Sequence, residues 1–188
     1  MVAAAPPLAA ADIATAPGGA SLSVAQVWRW LEEVMDPEIP VVSVVDLGIV
    51  RAVAWRETAA GPTLFVTITP TYSGCPATEV IAADIKAALV AHGVVAPHLE
   101  ISLAPAWTTD WLSAAGRARL KAFGIAPPAS AAPSDADAPS CPGCALAVSC
   151  PHCGEGDTRI VSRFGSTPCK AHYVCNRCLE PFDYFKPH

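Results

Sequence analysis

The sequence predicts a two-layer α+β domain, with a small mixed sheet of about three strands and helices on one face, followed by a C-terminal metal-stapled β ribbon. Three observations carry that prediction. Apolar residues recur at helical spacing over Val24 to Met35 and again over Ala77 to His92, with alternating strand-like segments between and after them. From Ile125 the composition falls to Ala, Pro, Ser and Asp, which cannot bury a core. Beyond that stretch two Cys-x-x-Cys pairs, Cys150/Cys153 and Cys175/Cys178, flank further strand-like residues.

Taken in order, residues 1–20 are rich in Ala but lack a basic segment, and Pro6, Pro7 and Asp12 interrupt any apolar run, so they read as a disordered tail and not as a signal peptide. The first domain spans 21–124. Ser23 with Gln26 three residues on is a capping box, and Val24, Val27, Trp28, Leu31, Val34 and Met35 form the apolar stripe of the helix it opens. Asp36-Pro37 and Ile39-Pro40 end that helix near Met35. Asp36, Glu38 and Asp46 then lie in a largely apolar stretch, where an unpaired buried carboxylate is costly.

Gly48 to Trp55 and Thr63 to Thr69 read as an antiparallel hairpin, with Leu64, Val66 and Ile68 on one face. A second helix follows over Ala77 to His92, with Val80, Ile81, Ile85, Ala88 and Leu89 as its stripe and Gly93 as its stop. Leu99, Ile101 and Leu103 alternate as a further strand. A third helix is expected from near Thr109 to before Gly124, packed through Trp107, Trp111, Leu112, Leu120 and Phe123. Residues 125–149 read as a flexible linker, and 150–188 as the ribbon domain.

The chain has 188 residues and a net charge of −5, without a run of Lys or Arg long enough to hold nucleic acid or an anionic membrane. After Ser140, five Lys and Arg face four Asp and Glu, which argues against a nucleic-acid-binding ribbon. No segment approaches the roughly 20 apolar residues that span a bilayer, so a cytoplasmic protein with no membrane partner is expected. In a reducing compartment, closely spaced cysteines are metal ligands more often than disulfides.

Two groups of residues carry the chemistry. The first is the loop T-P-T-Y-S-G-C-P-A-T, Thr69 to Thr78, which sets Cys75 beside a helix N-terminus. Free amides and the helix dipole favour a thiolate there; a buried, inert cysteine is the alternative. Asp46 reads either as a turn cap near Gly48 or as a functional carboxylate. The second group is the ribbon. Two Cys-x-x-Cys knuckles offer the four thiolates of a tetrahedral site, so Cys150, Cys153, Cys175 and Cys178 are the predicted ligands of a structural zinc. One iron, or with rearrangement a cluster, suits the same spacing. Cys169, just before the second knuckle, is a further candidate ligand, whereas Cys141 and Cys144 receive no role, and His152 and His172 read as surface residues.

With these residues in view, D-P-E-I-P-x-x-S-x-x-D-L-G (Asp36 to Gly48) together with T-P-T-Y-S-G-C-P-A-T resembles the SufT-like iron-sulfur cluster assembly family. A-P-A-W-T-T-D-W (Ala104 to Trp111) and the terminal F-G-S-T-P-C-K-A-H-Y-V-C-N-R-C-L-E-P-F-D-Y-F-K resemble the PaaD family of phenylacetyl-CoA epoxidase systems, which serve phenylacetate catabolism. That resemblance covers roughly Ser21 to Lys186 apart from the linker. It implies an accessory protein and not an enzyme, one that helps mature the metal centres of its oxygenase or reductase partners. By position, Cys75 becomes the motif cysteine, Asp46 the motif aspartate and Thr78 part of the same loop. Cys75 would then hold iron or a cluster transiently, with the remaining ligands supplied by a homodimer mate or by the client. The alternative is a non-catalytic bridging component that holds only structural zinc. A thiol enzyme lacks an evident base near Cys75 in the sequence, and nothing supplies the paired Glu-x-x-His of a di-iron bundle.

Overall fold

The computed structural model describes residues 22–72, 74–128 and 148–187, and the backbone of 13–15 and 21. Of the tail expected over 1–20, only 13–15 fall within that description, and they pair antiparallel with 21–23. Most of the expected linker, with Cys141 and Cys144, lies outside the described residues. The elements in chain order are β1 (Ile13–Thr15), β2 (Ser21–Ser23), α1 (Val24–Leu31), β3 (Val50–Thr58), β4 (Gly61–Ile68), α2 (Thr78–Ala91), β5 (His98–Ile101), a 3-10 turn (Thr109–Trp111), α3 (Ala114–Ala122), β6 (Ile125–Ala126), β7 (Thr158–Ser162), β8 (Lys170–Cys175) and β9 (Pro181–Phe185).

The central sheet has the order β3-β4-β5, with β3 antiparallel and β5 parallel to β4. It is the small mixed sheet that the sequence predicts. A two-residue turn at Ala59 and Ala60 closes the hairpin, tighter than the Glu57 to Pro62 loop expected. Leu64, Val66 and Ile68 alternate along β4 and are buried in one core with Val27 and Leu31 of α1 and Ile81, Ile85 and Leu89 of α2. Val80 and Met35, expected in the helical stripes, are exposed.

The capping box at Ser23 forms as predicted: its hydroxyl accepts from the Gln26 amide while the Gln26 side chain accepts from the Ser23 amide. α1 stops at Leu31, earlier than expected, because the chain reverses around the proline pair. The Asp36 amide donates to the Val42 carbonyl at 2.9 Å, and the Val44 amide to the Val34 carbonyl at 2.9 Å, so the segment folds back on itself through a Met35–Ser43 bridge.

The third helix begins later than predicted. Thr109–Trp111 is only a 3-10 turn, Leu112 is extended, and Ser113 caps α3 by accepting the Gly116 amide at 2.8 Å. Phe123, expected to pack this helix, is exposed, whereas Trp107, Leu112 and Leu120 are buried.

The largest departure concerns the boundary at residue 125. Ile125 and Ala126, read as linker, form β6 and pair in parallel with β9, giving a second sheet of order β6-β9-β8-β7. Ile125 belongs to the core of the first domain and Ala126 to that of the ribbon. Phe185 and Cys169 leave the ribbon and join the first core, where the Phe185 ring meets Trp107 at 6.0 Å between centroids. The ribbon is thus seated on the first domain, and that seating positions the site.

Candidate metal and thiol sites

The ribbon site is built from two matching turns. The Gly154 amide donates to the Cys150 carbonyl at 2.9 Å and the Leu179 amide to the Cys175 carbonyl at 3.0 Å. Cys150 and Cys175 in turn donate their amides to the carbonyls of Glu155 and Glu180. Each turn presents its two sulfurs on one side. Cys150 Sγ lies 3.7 Å from Cys178 Sγ and Cys153 Sγ 3.6 Å from Cys175 Sγ, and all four fall within 4.8 Å of one another. A tetrahedron with zinc–sulfur bonds of about 2.3 Å has sulfur–sulfur edges of about 3.8 Å, so the four thiols fit such an ion. The Cys175 thiol is lowered to about 7, chiefly by the Cys178 amide directed at its sulfur, which supplies a first thiolate near neutral pH. These are the four cysteines that the sequence assigns to metal; Cys169 is not one of them.

The second site is a cavity between β4, the start of α2, the Asp36–Ile39 turn and the ribbon. Cys75 sits in the loop before α2. Its amide donates to the Tyr72 carbonyl at 3.0 Å, and its carbonyl accepts both the Thr78 amide and the Thr78 hydroxyl, the latter at 2.9 Å. Thr78 therefore positions Cys75 through the backbone, and both residues line the cavity. Asp36 Oδ1 accepts the amides of Glu38 and Ile39, each at 2.8 Å, in a tight side-chain-to-backbone turn. That turn brings Asp36 and Glu38 to the same cavity, while Cys169 and Phe185 close it from the ribbon side. Much of the remaining wall is aliphatic.

The thiolate expected at Cys75 is not favoured in this protein. Burial pushes the Cys75 thiol up, Glu38 and Asp36 push in the same direction, and the Ala77 amide and Thr78 hydroxyl only partly oppose them. The helix terminus helps little: Cys75 precedes the first residue of α2 by nearly a turn, and Ala77 offers no side-chain cap. Cys169 is also raised, first by burial and then by Glu38, Asp36 and Cys75, against a Thr167 hydroxyl 3.0 Å from its sulfur. Asp36 is itself raised by burial.

Asp46 is not at this cavity. Its carboxylate accepts the Ser113 hydroxyl at 2.8 Å and the Ser43 amide at 3.3 Å and pairs with Arg119, and its carbonyl accepts the Ser113 amide. It ties the Ser43–Gly48 turn to the start of α3. Sequence reasoning singles out Cys75, Thr78 and Cys169 but gives Asp36 and Glu38 no role; the signal present for them is two carboxylates in an apolar stretch.

A family model described as an iron-sulfur cluster assembly protein matches residues 24–96, and one described as the PaaD zinc beta ribbon domain matches residues 126–186. A putative 1,2-phenylacetyl-CoA epoxidase subunit of Escherichia coli K12 is 44% identical over 163 residues, covering 87% of this chain and 92% of its own length. An Fe-S protein maturation auxiliary factor of Porphyromonas gingivalis is 35% identical over 86 residues, 45% of this chain and 78% of that one. The crystal structure of a DUF59 domain from Bacillus anthracis aligns with a TM-score of 0.46 at 28% identity, over 51% of this chain and 89% of its own. With an assembly-type domain, a four-cysteine ribbon and this similarity along most of its length, the chain belongs to the PaaD family of phenylacetyl-CoA epoxidase components.

Proposed function

We propose that the protein is an accessory factor for the maturation of a phenylacetyl-CoA epoxidase system, handling iron or an iron-sulfur cluster for an oxygenase or reductase client. The observation that carries this reading is the placement of Cys75. A thiol at the mouth of the assembly-type domain, held by Thr78 and facing two carboxylates, is a weak, cation-seeking site in place of a finished cofactor site. The four ribbon cysteines fit zinc as a closed structural ion, which leaves no open position for chemistry.

Cargo binding at Cys75 needs the thiol deprotonated, and a cation supplies what burial withholds. The ion replaces the proton, and the field of Asp36 and Glu38, unfavourable to a bare thiolate, favours the thiolate–cation pair. Glu38 and Cys75 are only partly buried, so cargo can pass to a client that offers more ligands.

A bridging component with structural zinc alone is the second reading. Phe164 and Leu179 on the ribbon are exposed and give a partner something apolar to hold. Co-expression of the epoxidase components with wild type or Cys75→Ser separates the two. The maturation reading expects client iron content to fall several-fold in Cys75→Ser while the components still co-purify. Full client iron in the variant would leave the bridging role.

A further inference from the structure

We infer that Cys169, supplied by the ribbon, is the second protein ligand beside Cys75, and that the two thiolates, with Asp36 and Glu38 at their side, hold one thiophilic divalent metal ion and not a preformed cluster. The inference rests on the proposed function and names the cargo and the missing ligand of that same site.

The two cysteines come from different domains and line one cavity. Cys169 is buried in the core of the first domain, not in that of the ribbon, and it stands just before β8, where the Lys186 amide donates to its carbonyl at 2.9 Å. It lines the cavity with Cys75, Asp36 and Glu38. Both thiols feel the same two carboxylates, and Cys169 feels Cys75 as well. Four groups able to carry negative charge therefore face one mostly apolar space. Lys170 is buried and paired with Asp183 at 3.1 Å, and its charge also reaches Asp36 and Glu38. One ammonium shared among three carboxylates does not balance two further thiolates, and a divalent ion meets that charge.

Size decides between an ion and a cluster. The space open to the centre of a water-sized sphere is about 20 Å³, enough for about one atom-sized occupant. A cluster of several irons and sulfides does not fit unless the ribbon lifts. The ribbon cysteines are already gathered at coordination distance, whereas these donors line a cavity without being gathered in the same way. A loosely gathered donor set holds its ion weakly, which suits delivery. Binding releases two thiol protons to solvent and changes no oxidation state.

The test uses the full chain, anaerobic and loaded with one equivalent of zinc to fill the ribbon, then titrated with Co²⁺ alone. One further Co²⁺ per chain with thiolate-to-cobalt charge-transfer absorption is expected. Even indirect supports of a metal ligand are worth 10- to 100-fold in affinity, so Cys169→Ser and Cys75→Ser should each weaken binding by about tenfold or more. Ribbon zinc, measured in the same samples, shows that the variants remain folded. As a measurement that needs no variant, Co²⁺ should protect Cys75 and Cys169 together from alkylation in the wild type. Protection of Cys75 alone, or unchanged binding in Cys169→Ser, would overturn the pairing and leave the maturation role to Cys75. Acid-labile sulfide bound at this site after reconstitution would overturn the single-ion assignment. If both thiols bind Co²⁺ but Cys75→Ser still matures the client fully, the maturation reading fails and the site stands.

Discussion

Asp46 lies outside the lining of the thiol cavity and acts as a hydrogen-bonding hub. It is almost fully buried, and its carboxylate holds Ser43, Ser113 and Arg119 at once. Arg119 is half-exposed, so its share is modest, but the Ser113 hydroxyl and the Ser43 amide lose their acceptor if the carboxylate goes. Asp46→Ala should cost about 2–4 kcal/mol, as loss of a buried hydrogen-bonding hub does. Chemical denaturation measures it, and cargo binding per folded molecule should be unchanged. A variant that folds with wild-type stability but fails to bind metal would return Asp46 to the cargo site. The local half of this role, the turn with Ser43 three residues back, is legible as a turn cap, but the other two partners lie 67 and 73 residues away in the chain and are not. Cys75 is legible as a loop cysteine, but its protonation is not: the spacing to a helix is local, while burial and the charges of Asp36 and Glu38 are not.

At the scale of elements, legibility follows the range of the interactions. The capping box at Ser23, the alternation along β4 and the paired knuckles are written within a few residues, and each forms as read. The start of α3 is ambiguous in the sequence because Ser113, its true cap, competes with an equally plausible start at Thr109. β6 is invisible there because two residues between a helix and a Pro/Ala-rich stretch carry no periodicity; only β9 makes them a strand. The knuckles themselves differ in one respect. Gly154 closes the first with φ +79°, and Leu179 takes the same left-handed conformation in the second with φ +65°. A side chain there costs about 1–2 kcal/mol, and Leu179 is largely exposed, so it returns little burial. Leu179→Gly should therefore stabilise the metal-loaded ribbon by about 1 kcal/mol, less some chain entropy. A lower midpoint in denaturant would show instead that Leu179 is held by contacts worth more than its strain.

Across the whole molecule, the ribbon packs on the first domain through Phe185, Ile125 and Cys169. The ribbon core is small, and its four sulfurs converge from two turns far apart in the chain, so an ion bound there would contribute most of its folding free energy. Removing the metal from the purified protein with a strong chelator should then unfold 148–186 and withdraw Phe185 and Cys169 from the first core. Exposing a fully buried Phe side chain forfeits about 1.5–3 kcal/mol, so the first domain should survive with its midpoint lowered. Hydrogen exchange measures both parts at once. Amides of β8 and β9 should lose protection completely, whereas those of β4 and α2 should keep theirs with faster exchange. Cys75 should become more reactive toward alkylation once its cavity loses a wall. Equal loss of protection in both parts would mean that the first domain cannot stand without the ribbon. Unchanged protection in β4 and α2, with unchanged Cys75 reactivity, would mean that the Phe185 contact carries no coupling between metal at the knuckles and access to the thiol cavity.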